Sequence, residues 1–212
     1  MVGAKLYVEG GGDAKELRTA CRKGFATFLK KAGFQGILPG VVACGSRENA
    51  YDSFCTALRK GQRAFLLVDS ENPVAFRCQQ GEMKNWMPWK HLRSSAGGAW
   101  KKPVEASEGM CHLMVQCMET WFLADGAAMA SFFGQGFNEK ALPQRKNIEE
   151  IPKKDLYSGF ARASAGCKTK GPYDKGKHSF ALLCSIDPAK VVEASLWARR
   201  FLACLEEMLK NG

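Results

Sequence analysis

Residues 63–71, RAFLLVDSE, decide the fold. Arg63 to Val68 is a nearly continuous apolar run of the length that suits a central parallel strand covered on both faces. The run ends in Asp69, Ser70 and Glu71, so two carboxylates spaced by two sit at the C-terminal end of the predicted strand. Upstream, AKLYVE (4–9) reads as a second short buried strand that delivers Glu9 into the triplet Gly10, Gly11 and Gly12. Asp13 with Glu16 has the spacing of a capping box. Leu17, Cys21, Phe25, Phe28 and Ala32 then keep one apolar helical face until Gly33. The same plan repeats: GVVAC (40–44) is a strand, Ser46 or Asn49 caps a helix, and that helix runs to Lys60 before Gly61.

Downstream of Glu71 the pattern dissolves. Residues 72–110 are rich in Pro, Gly and Ser and carry Trp86, Trp89 and Trp100, a stretch too long for an ordinary connection. It is expected to be flexible and substrate-facing, with its tryptophans anchoring it to the body in preference to stacking on bases. HLMVQC (112–117) predicts a fourth strand passing into the helix-like segment Met118 to Ala124, with Glu119 at the junction. Pro152 to Ala165 predicts a helix. Asp187 and Pro188 cap and start a long one, with Val191, Ala194, Ala198, Phe201, Leu205 and Met208 as its core stripe.

Strands alternating with helices predict an α/β fold with a mostly parallel sheet flanked by helices, and functional groups beyond the carboxyl ends of the strands. The length of 212 residues fits one domain with one core, spanning about 4–133, and a basic, mainly helical C-terminal part over about 145–212. Hydrophobic residues at 46% and charged residues at 25% are the balance of a soluble globular protein. The N-terminus lacks the apolar run of a signal peptide, and no stretch reaches the roughly 18 to 20 apolar residues of a membrane span, so a cytoplasmic protein is expected. Nine scattered cysteines without a CxxC pair predict reduced, mostly buried thiols. The net charge of +10 favours polyanionic partners such as DNA or RNA. Between Arg145 and Lys177, nine basic residues stand against four acidic ones, which is half of that excess.

Glu9, Asp69 and Glu71 form the candidate constellation. Hard carboxylate oxygens of this kind suit Mg²⁺ or Mn²⁺, and metal held by such a cluster can promote phosphodiester cleavage. The plainer reading is a helix-capping Asp and a solvated Glu in a glycine turn. The glycine triplet has no GK[ST] ending and no GxGxxG spacing, so it is read as a turn giving access to Glu9 rather than as a phosphate cradle. Lys168, Lys170, Lys175 and Lys177, spaced by Gly, Pro and Tyr, are candidates for wrapping a nucleic-acid backbone, with a solvated basic loop as the equal alternative. His178 either meets a scissile phosphate or starts the apolar helix HSFALLCSI. His91 has no partner at metal-ligand spacing, and Asp125 reads as an ordinary helix-end residue.

VEGGGD, LLVDSEN and MVQCMETWFLAD resemble the three acidic stations of the TOPRIM fold of topoisomerases, primases and OLD-type nucleases. With RKNIEEIPKKDL, KGPYDKGKHSFALLCSIDP and the closing helix, they resemble more specifically an uncharacterised TOPRIM-like family of unknown function, often encoded beside ATPases in bacterial defence regions. The resemblance implies that Glu9 is a general acid or base or a metal ligand, that Asp69 and Glu71 hold Mg²⁺ or Mn²⁺, and that Glu119 is a fourth acid of the site. It implies a nuclease of DNA or RNA and an ATPase partner in antiviral defence; a homodimer is a separate expectation that the resemblance does not supply. The usual DxD stands here as Asp-Ser-Glu, a departure that bears on catalytic strength. The competing function is a TOPRIM-shaped subunit without turnover that binds nucleic acid or the ATPase.

Overall fold

The computed structural model describes residues 3–95 and 100–210; residues 96–99 of the irregular stretch and both chain ends lie outside the described residues. Four strands, β1 Lys5–Val8, β2 Gly40–Ala43, β3 Ala64–Asp69 and β4 Cys111–Met114, form one all-parallel sheet of order β2-β1-β3-β4. All four predicted strands are present. The alternation of side chains divides the sheet into two faces. Leu6, Val8, Phe65, Leu67 and Met114 enter one core, and Tyr7, Leu66, Val68 and Leu113 enter the other. This explains the unbroken apolar run of β3, every residue of which is buried.

Helix α1, Lys15–Lys31, connects β1 to β2 and packs Phe25, Phe28 and Leu29 into the first core. Helix α2, Arg47–Arg59, connects β2 to β3 and packs Phe54 and Leu58 into the second. Full burial of each such side chain stabilises by about 1.5–3 kcal/mol. Because the two crossovers lie on opposite faces, the carboxyl ends of the adjacent strands β1 and β3 flank a topological switch point, where open α/β sheets bind ligands. Glu9 and Asp69 stand at those two ends.

The expected Asp13 capping box is not formed. The N-cap of α1 is Ala14, without a side-chain cap, and the exposed Asp13 carboxylate lies 3.5 Å from Arg18 instead. The cause is the preceding turn: Gly10, Gly11 and Gly12 all have positive φ, of 125°, 88° and 49°, and carry the chain past Asp13 before helical geometry begins. Gly10 and Gly45 lock that turn to the end of β2 through reciprocal backbone bonds of 2.9 Å. Ser46 does cap α2, its hydroxyl accepting from the Asn49 amide at 3.1 Å.

The described part of residues 72–110 is a packed cover rather than a substrate-facing arm. It forms short 3-10 turns and helix α3, Pro88–Ser94. Trp86, Trp89 and Trp100 are all buried in the second core, so the tryptophans anchor, as their composition suggested. β4 ends at Met114, earlier than predicted, because Gln116 takes a left-handed φ of 56°. Met118–Asp125 is a 3-10 segment, followed by α4, Gly126–Phe133, which the sequence reading did not anticipate. Helix α5, Lys153–Ser164, matches its expected span. Helix α6, Lys175–Ser185, packs along α1.

The long closing helix is two helices, α7 Pro188–Ala194 and α8 Leu196–Lys210, with extended Ser195 between them. The buried Glu149 carboxylate explains the break. Its Oε1 accepts from the Ser195 hydroxyl at 2.5 Å and the Trp197 amide at 2.8 Å, and Ser195 Oγ accepts from the Ala198 amide, capping a fresh helix. The core stripe survives, since Val191, Ala198, Phe201 and Leu205 are all buried. All nine cysteines are free thiols, seven of them buried. No helix among the described residues is long and apolar enough to cross a membrane.

Candidate metal centre

Glu9, Asp69 and Glu71 converge at the switch point, with one oxygen of each carboxylate within 4.8 Å of the others. Each is held by its own local structure. Glu9 follows β1, and its amide still bonds to Leu67 O on β3. Its Oε2 accepts from the Asp69 backbone N–H at 3.0 Å. Asp69 is the last residue of β3, and its Oδ1 accepts from the Met118 N–H at 2.9 Å. Glu71 is exposed and left-handed, with φ of 65°. Glu71 and Gln116 are the two non-glycine residues with positive φ among the described residues, and they are bonded to each other through Glu71 N–H and Gln116 O. Such backbone strain costs on the order of 1–3 kcal/mol per residue and persists where surrounding structure fixes it.

That fixing structure lies in residues between and beneath the acids. Ser70, the middle residue of Asp-Ser-Glu, is fully buried. Its hydroxyl donates to Asn72 O at 2.7 Å and accepts from the Gln116 N–H at 2.8 Å, tying the β3 and β4 ends together. The Gln116 amide donates to the carbonyls of Glu149 and Ile151, at 3.0 and 2.8 Å, and accepts from the Lys153 N–H. His91 on α3 reaches the Ser70 carbonyl with Nε2 at 3.0 Å, so Nε2 carries the proton. Burial lowers the pKa of His91 and favours the neutral ring. The excursion after β3 therefore supports the acid loop from below.

Burial and crowding set the electrostatics. Desolvation first, and then the Glu71 charge, push the Glu9 carboxyl up to about 7 against the downward pull of the Asp69 amide. Asp69 is held well above the usual carboxylate range, first by burial and then by the charges of Glu9 and Glu119. Two lysines offset this crowding: Lys153 Nζ lies 2.5 Å from Glu71 Oε2, and Lys175 Nζ lies 3.3 Å from Glu119 Oε1. Glu119 is fully buried and stands outside the trio. Its Oε2 accepts from the Tyr157 hydroxyl and its Oε1 from the Ser179 hydroxyl, both at 3.2 Å.

The basic loop divides. Lys168, Lys170, Lys175 and Lys177 are all exposed, but of these only Lys175 pairs with the acidic site; Lys170 lies with its Nζ 4.5 Å from the centre of the Phe132 ring. His178 is buried within α6, which begins three residues earlier at Lys175. Its Nδ1 accepts from the Asp174 amide at 3.0 Å, and its ring packs edge-on against Phe132 and Phe133. Asp125 caps α4 and pairs with Lys190 at 2.6 Å, a helix-end role as expected. Sequence reasoning missed Ser70, Gln116, Lys153, Tyr157 and Ser179. The one available signal was the spacing of Lys175 and Ser179 by four, which puts both on one face of a helix.

A family model described as "Domain of unknown function (DUF4276)" matches residues 8–206, and the chain belongs to that family. No curated protein and no solved structure matches the chain.

Proposed function

We propose that this member of the DUF4276 family is a TOPRIM-type, metal-dependent nuclease that cleaves phosphodiester bonds in DNA or RNA. The observation that carries the reading is the convergence of Glu9, Asp69 and Glu71 within 4.8 Å, beyond the carboxyl edge of a parallel sheet. The donor set fits Mg²⁺ or Mn²⁺, since it consists of hard carboxylate oxygens. The raised Glu9 and Asp69 add to the fit, because crowded, buried acids favour either protons or a cation. Bound there, the metal supplies an acidified water and charge neutralisation at the phosphate.

The chain's own residues do the positioning. The Met118 and Asp69 amides hold the Asp69 and Glu9 carboxylates in place. With Oε2 of Glu9 engaged by the Asp69 amide, Oε1 is the atom that faces the metal or a proton. Lys175, fixed by Glu119 at the rim of the adjoining cavity, offers positive charge to a phosphate. In this reading Tyr157 and Ser179 serve by holding Glu119. The ATPase partner and the defence role rest on the family resemblance.

A second reading is favoured by the Lys153–Glu71 and Lys175–Glu119 pairs, which balance two of the four acids without metal. The protein is then a binding subunit, with Lys168, Lys170 and Lys177 facing nucleic acid or a partner. Expression in cells together with the neighbouring ATPase separates the two readings. Nucleic-acid damage from wild type that vanishes in folded Glu9→Ala and Asp69→Ala supports the nuclease. Equal behaviour of all three supports the binding subunit.

A further inference from the structure

Beside the carboxylates opens a cavity of about 270 Å³ whose lining is chemically mixed. Glu9, Glu119 and Lys175 contribute charge, Leu17 and Phe180 contribute apolar surface, and the Gly10–Gly12 turn contributes bare backbone. Phe180 is held there by two close approaches from separate segments. A Cβ on Gly10 would meet Phe180 Cζ at 3.2 Å, and a Cβ on Gly24 of α1 would meet the Phe180 carbonyl oxygen at 3.1 Å. The absence of both side chains lets α6 sit tightly on α1 and present Lys175, Ser179 and Phe180 together. Phe180 and Leu17 are half-buried rather than sealed into the core, so both keep surface for a ligand.

Resting on the nuclease reading, we infer that this cavity takes the base of an unpaired nucleotide next to the scissile phosphate, which makes single-stranded nucleic acid the substrate class. A duplex keeps its bases stacked and paired inside, and offers this apolar surface only hydrated backbone. An unpaired base brings a flat apolar face that stacks on Phe180 and lies against Leu17, while Lys175 meets the neighbouring phosphate.

The test is binding of the full chain to fluorescent oligonucleotides of one sequence, single-stranded and duplex, with Ca²⁺ in place of the catalytic metal. The expected result is single-strand affinity about tenfold above duplex affinity. Two folded variants should remove that preference: Phe180→Leu, which keeps bulk and loses the ring, and Leu17→Trp, which fills the cavity. Equal affinity for both forms, no binding of either, or a preference untouched by both variants would overturn the inference. Cleavage measured in parallel with Mn²⁺ separates it from its premise. Duplex cleavage that needs Glu9 and ignores Leu17→Trp keeps the nuclease and discards the pocket. Single-strand binding lost in Leu17→Trp, without any cleavage by wild type, keeps the pocket and discards the nuclease.

Discussion

The backbone N–H of Asp69 donates to Oε2 of Glu9 at 3.0 Å, joining two acids 60 residues apart in the chain. The bond exists because β1 and β3 are adjacent at the switch point, with Val8 in register with Leu67. One carboxylate is thus oriented by the main chain of the other, and the pair is set by sheet topology rather than by flexible loops. Such preorganisation suits a cation site, and it places like charges where burial raises the pKa values of both.

That crowding has a pH signature in metal-free protein. The Glu9 carboxyl rises from 4.5 to about 7 on folding. A carboxyl raised in the folded state contributes stability that is full below its unfolded value and is lost as pH rises through the folded one. Melting temperature in EDTA should therefore fall between pH 4.5 and about 7. Asp69 and Glu149, both raised chiefly by burial, act in the same direction. Glu9→Gln should flatten part of the slope, while a melting temperature that climbs across this window would contradict the assignment.

On the proposed metal-binding reading, Lys153 competes with the metal for Glu71. The two side chains are 30% and 43% exposed, so their 2.5 Å pair contributes less than about 1 kcal/mol to stability. Lys153→Met should leave unfolding nearly unchanged and tighten Mn²⁺ binding about fivefold, the equivalent of about 1 kcal/mol near a protein surface. Calorimetric titration reads this directly. Weaker Mn²⁺ binding in the variant would mean that Lys153 supports the site instead of occupying it.

Gln116 is the strut of the acid loop. Replacing it by alanine strips partners from the Glu149 and Ile151 carbonyls and the Lys153 amide. Leaving such buried groups unpaired should cost about 2–4 kcal/mol, a fall in melting temperature of about 5–15 °C for a chain of this size. Mn²⁺ affinity should fall with it, since the Gln116 side chain anchors the backbone whose carbonyl accepts from the Glu71 N–H. Thermal unfolding with and without Mn²⁺ checks both parts.

The residues that were legible from sequence are those whose pattern is local. An apolar run such as that of β3 announces a doubly covered strand, and a carboxylate just beyond it announces a site at the strand end. Asp13 misled because local spacing cannot register the left-handed glycine turn before it. The closing helix looked continuous because the apolar stripe continues through Ser195, while the reason for the break, Glu149, lies 46 residues away. Helix α4 begins with glycine and follows a 3-10 segment, so it carried no ordinary start signal beyond Asp125. Ser70, Gln116, Tyr157 and Ser179 are ordinary polar residues in sequence, and only the meeting of β3, β4, α5 and α6 gives them partners.

In the proposed function the Glu9, Asp69 and Glu71 cluster cuts nucleic acid with metal. That function is tested most directly by incubating purified chain with DNA and RNA, single-stranded and duplex, with Mn²⁺ and with EDTA, beside Glu9→Gln and Asp69→Asn. These variants keep the acceptors for the Asp69 and Met118 amides, so their folds should hold. The expected result is Mn²⁺-dependent cleavage by wild type, falling at least about 100-fold in each variant. Cleavage that persists in EDTA, or equal activity in wild type and both folded variants, would contradict it.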